Sequence, residues 1–241
     1  MSVPVFVALD TVDLQKAIAW AKDIAAANAV ALQSGPWGVK LGLEFFLHHG
    51  HGGYAKIAAV GLPIFLDLKL YDIPNTVAGG LRAILDLEPY YLTLHAGGGK
   101  IMMQRAVEEL KSHNSATKLL GVTVLTSMDK ADLEGIGVQD APHVQVQRLA
   151  KLAEEAGMHG SVCSAHELMM LRGAGHVSAG FDLVVPGIRP AGIAAQDQKR
   201  VMTPKDAMQN GATALVIGRP ITQAPSIAEA IAAIGQEMGA V

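Results

Sequence analysis

Short apolar segments alternate with longer segments of helical periodicity along this chain of 241 residues. Most of the apolar segments are rich in Val, Ile, Leu or Phe and show no polar alternation, which is typical of parallel strands covered on both faces. The second and sixth of them have the weakest signal, because they are short and contain Gly, Lys or Ser. The pattern predicts eight strands: Val3–Leu9, Gly38–Leu41, Ile64–Leu68, Tyr91–Leu94, Leu119–Leu125, Gly160–Cys163, Asp182–Val185 and Ala214–Ile217.

The segments between these strands carry one apolar face each, which predicts helices that pack against a sheet. Ser226 followed by Glu229 predicts a capping box that opens the last helix. The apolar stripe of that helix repeats at intervals of four, three and four residues: Ile227, Ile231, Ile234 and Met238. Another stripe consists of Met102, Ala106, Val107 and Leu110.

Eight strand–helix units predict an α/β fold, a single (β/α)8 TIM barrel that occupies residues 1–241 as one domain. A doubly wound open sheet uses the same alternation and is the alternative. The number of units favours the barrel. So does the segment from Ala8 to Val12, which contains no glycine where a dinucleotide-binding sheet has a glycine-rich turn.

The composition excludes several classes of protein. Half of the residues are hydrophobic and 17% are charged, which excludes a disordered chain, and Cys163 is the only cysteine, which excludes a disulfide scaffold. The net charge of −3 provides no broad basic field for nucleic acid. No apolar run reaches the ~18 residues of a membrane span, and the first residues do not resemble a signal peptide. We therefore expect a soluble, cytoplasmic protein with neither nucleic acid nor a membrane as a partner.

Polar residues follow many of the predicted strands, at the end where a barrel builds its active site. Glycine after the eighth strand allows close approach of a ligand to the backbone, and the arginine that follows it can bind a phosphate through two hydrogen bonds. The residues at these positions are Asp10, Lys40, Asp67, Lys69, Thr126, Ser127, Pro186, Arg189, Gly218 and Arg219.

The third strand carries the most informative pair, Asp67 and Lys69. Because strand side chains alternate, these two residues share a face that is opposite to the face of their leucine neighbours. A simple ion pair at a strand end is the alternative interpretation. The apolar flanks, which make buried charge unfavourable, and the second acid Asp72 favour a functional role.

The run from Asp67 to Thr76, D-x-K-x-x-D-I-P-N-T, resembles the signature of the orotidine 5′-phosphate decarboxylase family in its short bacterial form. The resemblance extends over essentially the whole chain. It includes Leu125-Thr126-Ser127, Val185 to Pro190, Asp197 to Arg200 and Ile217 to Thr222. It implies decarboxylation of orotidine 5′-phosphate to UMP, without a metal or an organic cofactor.

The resemblance also implies roles for individual residues. Lys69 protonates C6 of the substrate, Asp67 lies near the departing carboxylate, and Asp72 with Thr76 enters the neighbouring site of a homodimer. Substrate contacts are implied for Asp10 and Lys40 at the ribose, Thr126 and Ser127 at the nucleoside, Gln198 at the phosphate, and Arg189 and the Pro186 segment in a long loop.

Two alternatives compete with this interpretation. A related barrel enzyme of the keto-gulonate phosphate decarboxylase type uses Mg²⁺, but its pattern lacks the Pro-Asn-Thr extension and the segments around Arg189 and Gln198. A non-catalytic barrel that senses UMP would not require Lys69 between two acids. We predict no metal site at His48, His49 and His51, and we interpret His95 as a packing residue at a strand end.

Overall fold

The computed structural model describes residues 4–30, 36–173, 175–190 and 202–239. Eight parallel strands follow one another in chain order around a closed barrel, in which the first strand also pairs with the last. The predicted (β/α)8 barrel is confirmed, and the open sheet is excluded. The strands are β1 Val5–Ala8, β2 Trp37–Gly42, β3 Ile64–Leu70, β4 Tyr91–His95, β5 Lys118–Val122, β6 Gly160–Val162, β7 Asp182–Val185 and β8 Ala214–Ile217.

Helices surround the barrel, and the residues of both predicted apolar stripes lie in the buried core or pack against it. In the last helix the Ser226 hydroxyl accepts a hydrogen bond from the Glu229 backbone N–H, as expected of a capping residue. The second helix bends at Gly50, whose φ of 54° is not helical. The described helices are α1 Leu14–Val30, α2 Leu43–Ala58, α3 Pro74–Leu85, α4 Gly99–Ser112, α5 Lys130–Gly135, α6 Pro142–Glu155, α7 Leu168–Gly173, α8 Pro204–Gln209, α9 Arg219–Thr222 and α10 Ile227–Gly239.

The strand ends differ from the predicted ones where local bonding overrides the apolar pattern. The predicted fifth strand was too long: β5 ends at Val122, where the Thr123 N–H makes the last bond of the ladder to the Val162 carbonyl. The Thr123 hydroxyl donates to the same oxygen, and the chain then turns. β3 extends to Leu70, which pairs with Leu94. The predicted start of the first strand, Val3, lies outside the described residues.

The two strands with the weakest sequence signal contain glycines that the barrel requires. A Cβ at Gly38 in β2 would lie within 3 Å of the Phe6 ring and the Pro63 carbonyl oxygen. A Cβ at Gly160 in β6 would collide with the backbone of Asp182. Close approach therefore explains why these two strands have glycine at these positions.

The barrel interior has an aromatic layer between charged groups at its two ends. The rings of Phe6, Phe65 and Tyr91 pack edge to face, with centroids 5.4 to 5.7 Å apart. At the amino end, Asp182 Oδ2 lies 2.9 Å from both Lys118 Nζ and the Tyr91 hydroxyl. The inner face is also polar at the carboxyl ends of the strands, which is the end where barrel enzymes have their active sites. Among the described residues, no helix is both long enough and apolar enough to cross a membrane.

Candidate active site

Two residues of β3, Asp67 and Lys69, form an ion pair at the carboxyl end of the barrel. Lys69 Nζ donates a hydrogen bond to Asp67 Oδ2 over 2.7 Å, so the two side chains share the inner face as predicted. The Asp67 side chain is 14% exposed and that of Lys69 is 30% exposed. Leu66 and Leu68 point the other way, into the buried layer between strands and helices. The lysine is therefore held by a carboxylate and still reaches solvent or a ligand.

The two preceding strands extend this pair into a row of alternating charges. Lys40 Nζ, at β2, lies 3.2 Å from Asp10 Oδ1 and 3.9 Å from Asp67 Oδ2. A Cβ at Gly42 would lie 3.3 Å from Lys40 Nζ, so glycine leaves room for this lysine. The order Asp10, Lys40, Asp67, Lys69 places every charge beside one of opposite sign.

This arrangement keeps Asp67 ionised. Burial raises the pKa of the Asp67 carboxyl group, but the charges of Lys40 and Lys69 and the hydrogen bonds from Lys69 and Thr93 lower it further, so that the pKa lies below its usual value. His95, the last residue of β4, shows the opposite response to the same lysine. Burial and then the charge of Lys69 hold the pKa of His95 below its usual 6.5, so this imidazole is neutral at pH 7.

Lys69 has an unusual backbone conformation. Its φ is 51°, in the left-handed region that residues with a Cβ avoid at a cost of about 1 kcal/mol. The conformation belongs to a bulge, because three residues separate Leu66 from Leu70 in β3 whereas one residue separates their partners Leu92 and Leu94 in β4. Strain of this kind concentrates at functional sites.

Asp72 and Thr76 are both exposed, and they lie beyond the end of β3. Asp72 Oδ1 accepts a hydrogen bond of 2.6 Å from the Ile73 backbone, and within the described part of this single chain it makes no ion pair with Lys69. The neighbouring side chains of Tyr71 and Ile73 are 64% and 68% exposed. The chain thus presents Asp72 outwards beside an apolar surface.

The predicted substrate contacts after β7 and β8 include those expected at the phosphate, which are Gln198, Gly218 and Arg219. Arg189 is only 7% exposed, and its backbone N–H bonds to the Met202 carbonyl, so that a bridge between Ile188 and Met202 joins the two ends of the long loop. Pro186 precedes this bridge and is half-buried. Gln198, predicted at the phosphate, lies outside the described residues. Gly218 directly precedes α9, and the half-buried Arg219 is the first residue of this short helix.

The residues predicted at the nucleoside lie in a turn after β5. A hydrogen bond from the Met128 N–H to the Leu125 carbonyl closes the turn. Thr126 is half-buried within it and Ser127 is exposed. Both follow the strand end, as predicted, but by four and five residues rather than directly.

Sequence reasoning missed Thr93, which lies fully buried on the inner face of β4. Its hydroxyl donates to Asp67 Oδ1 over 2.8 Å and accepts from the Lys69 backbone N–H over 2.9 Å. His95 was interpreted as a packing residue, although its pKa responds to both Asp67 and Lys69. One signal could have found both: Thr93 and His95 alternate in phase with the inward-facing Tyr91.

His49 and Cys163 are two further residues whose side chains could bind a metal or act as a nucleophile. His49 Nε2 hydrogen-bonds the Val12 carbonyl over 2.7 Å, and Cys163 is buried, which raises the pKa of its thiol. In the described ranges, no group of three or more His, Cys, Asp or Glu side chains could hold a metal ion.

A closed (β/α)8 barrel with paired charges at the carboxyl ends of its strands is the architecture of a barrel enzyme. Residues 4–234 match the family described as "Orotidine 5′-phosphate decarboxylase / HUMPS family", and the chain belongs to this family.

Proteins named orotidine 5′-phosphate decarboxylase are similar over nearly the whole chain. The one from Erythrobacter litoralis is 51% identical over 93% of this chain and 94% of its own, and the one from Novosphingobium aromaticivorans is 49% identical over 97% and 98%. The crystal structure of orotidine 5′-phosphate decarboxylase from Lactobacillus acidophilus has a TM-score of 0.80 and 35% identity, covering 98% of this chain and 99% of that one.

Proposed function

We propose that this protein is a carboxy-lyase that converts orotidine 5′-phosphate to UMP and CO2 in de novo pyrimidine synthesis. The observation that carries the proposal is the 2.7 Å pair of Asp67 and Lys69 at the carboxyl end of the barrel, in a chain about half identical to proteins of that name. The family description joins two groups of enzymes, and the names of the relatives favour the decarboxylase.

The reaction requires what this pair can supply. Loss of CO2 from C6 leaves an electron pair in the plane of the ring, where the ring carbonyls cannot delocalise it well. The Lys69 ammonium group offsets this charge and then donates a proton to C6. Asp67 lies near the departing carboxylate and holds Lys69 in position. Lys40 holds Asp67 from the other side, 3.9 Å from the same carboxylate oxygen that Lys69 contacts.

The other rim residues bind the remote parts of the substrate. Binding energy from the phosphate and ribose is available to lower the barrier at C6, because it can hold the loops closed around the ring. The proposed contacts are Asp10 and Lys40 at the ribose, Thr126 and Ser127 at the nucleoside, and Gln198, Gly218 and Arg219 at the phosphate. Pro186 and Arg189 are further proposed substrate contacts.

The active unit is a homodimer in which Asp72 and Thr76 complete the site of the neighbouring subunit. The exposure of Asp72 and its lack of an ion pair with Lys69 in the described chain support this arrangement. The apolar side chains of Tyr71 and Ile73 beside it provide surface that a second copy would cover.

Turnover of orotidine 5′-phosphate by purified, chelator-treated protein tests the proposed function. We expect stoichiometric UMP and CO2 at the same rate with and without the chelator. Folded protein that shows no turnover contradicts the proposal, and activity that returns only with added Mg²⁺ favours the related metal-dependent barrel enzyme. The single-domain organisation and the cytoplasmic location stay predictions, to be tested by limited proteolysis and cell fractionation.

A further inference from the structure

The bulge in β3 depends on one hydroxyl group from the neighbouring strand. Between the pairs Leu66–Leu92 and Leu70–Leu94 the ladder loses its register, and Thr93 is the only β4 residue opposite the extra residues. The Lys69 N–H donates to Thr93 Oγ1 over 2.9 Å. The Thr93 side chain thus satisfies the backbone N–H of Lys69, the residue with the left-handed conformation at the bulge.

The same hydroxyl also orients the carboxylate. It donates its single proton to Asp67 Oδ1 over 2.8 Å, which leaves Asp67 Oδ2 as the oxygen that accepts from Lys69 Nζ. Thr93 is 0% exposed, so no solvent competes for either bond. The backbone of the lysine and the carboxylate of the aspartate therefore share one anchor point.

We propose that Thr93 is a positioning residue for decarboxylation, one that acts through Asp67 and Lys69 without touching the substrate; this rests on the proposed function. A misplacement of reacting groups by about 1 Å can reduce a rate ~10²-fold, and binding contacts elsewhere on the substrate remain intact. Loss of the hydroxyl should therefore lower kcat and leave binding nearly unchanged.

The test compares Thr93→Val, which keeps the shape of the side chain and removes both bonds, with Thr93→Ser, which keeps the hydroxyl. We expect kcat to fall roughly 30- to 100-fold in the valine variant and less than about 5-fold in the serine variant. The Kd for UMP should stay within about 3-fold of the wild-type value in both variants.

Thr213→Val is the matched control. Thr213 Oγ1 accepts the Leu183 backbone N–H over 2.7 Å, which is the same kind of bond between neighbouring strands, but Thr213 precedes β8 at the opposite end of the barrel. We expect this variant to keep kcat. An equal loss of kcat in this control, or a loss of UMP affinity that matches the loss of kcat in Thr93→Val, overturns the proposal in favour of a general structural role.

If Thr93→Val does not fold, the pair Thr93→Ser and Thr93→Ala replaces it, because these variants differ only by the hydroxyl. Equal kcat in that pair, or wild-type kcat in Thr93→Val, also overturns the proposal. Absence of turnover in the wild-type protein is a separate outcome that contradicts the proposed function itself.

Discussion

At the scale of single residues, the site depends on ion pairs between neighbouring side chains of opposite charge. Asp67 stays ionised because two lysines and two hydrogen bonds outweigh its burial, and its carboxylate in turn holds Lys69. These contacts lie within one chain and within three neighbouring strands. Substitutions of the phosphate contacts after β8 should therefore affect binding and leave the pair of Asp67 and Lys69 in place.

Arg219→Ala should reduce kcat/KM for orotidine 5′-phosphate far more than for the nucleoside that lacks the phosphate. Arg219 directly follows Gly218 after β8, where a guanidinium group can bind phosphate through two hydrogen bonds. Steady-state kinetics with the two substrates measures the difference. A similar fractional loss with both substrates would place Arg219 outside the phosphate site.

His159 should make stability depend on pH. Burial and then the charge of Lys118 hold the pKa of His159 below its usual 6.5 in the folded protein, so between these two pKa values the unfolded chain binds more protons. The free energy of unfolding should therefore rise with pH through this window and fall as the pH drops below the usual pKa of 6.5.

Urea unfolding at several pH values measures this slope. His159→Gln should flatten it, whatever the absolute stability of the variant, while substitution of the exposed His143 controls for the loss of an imidazole. A slope that is unchanged in His159→Gln refutes the assignment.

At the scale of elements, β4 serves both ends of the barrel. Its Tyr91 closes the amino end by donating a hydrogen bond to Asp182, and its Thr93 and His95 face the charged carboxyl end. We therefore expect substitutions at the amino end of β4 to affect stability and substitutions at its carboxyl end to affect activity, as is general for the two faces of TIM barrels.

Tyr91→Phe should lower the free energy of unfolding by about 1–2 kcal/mol, because a buried hydrogen bond to the Asp182 carboxylate is lost while the ring remains. Lys118 still neutralises Asp182 in this variant. Denaturant unfolding measures the change, and kcat should be unaltered. Tyr90→Phe, at an adjacent and 40% exposed ring, is the control and should change neither quantity. A loss of kcat in Tyr91→Phe would contradict the separation of the two ends.

The strands could be predicted where burial on both faces determines the hydrophobic pattern of the sequence. All eight strands were predicted in the correct order, because parallel strands covered on both faces are apolar throughout. The end of β5 was not predicted correctly. Val124 is buried although it lies beyond the strand, so the apolar run in the sequence is longer than the strand itself. The sequence did not indicate the bulge at Lys69, because a left-handed backbone conformation is usually predicted only at Gly or Asn. Thr93 was overlooked because threonine is an ordinary strand residue.

At the scale of the whole molecule, the proposed dimer shares its sites between subunits. Lys69→Ala and Asp72→Ala proteins, each nearly inactive, should regain activity when they are mixed under conditions that exchange subunits. In a hybrid dimer one site carries both defects and the other carries none. Random exchange of equal amounts gives about half hybrids, so about a quarter of all sites should become intact.

A mixture of Lys69→Ala with Asp67→Ala is the matched control. These two residues contact each other within one chain, so every site of that hybrid keeps a defect and no activity should return. If the first mixture also fails to recover despite demonstrated exchange, Asp72 does not act in the neighbouring site, and the decarboxylase proposal is unaffected.

Decarboxylation and UMP binding measured together on Lys69→Ala test the central claim most directly. Asp67 keeps Lys40 at 3.9 Å and Thr93 at 2.8 Å in this variant, so we expect a folded protein that binds UMP. Turnover should be abolished, because the electrostatic stabilisation and the proton donor are lost together. Residual turnover above roughly a hundredth of the wild-type rate would contradict this role of Lys69, and an unfolded variant would show that the pair with Asp67 is structural.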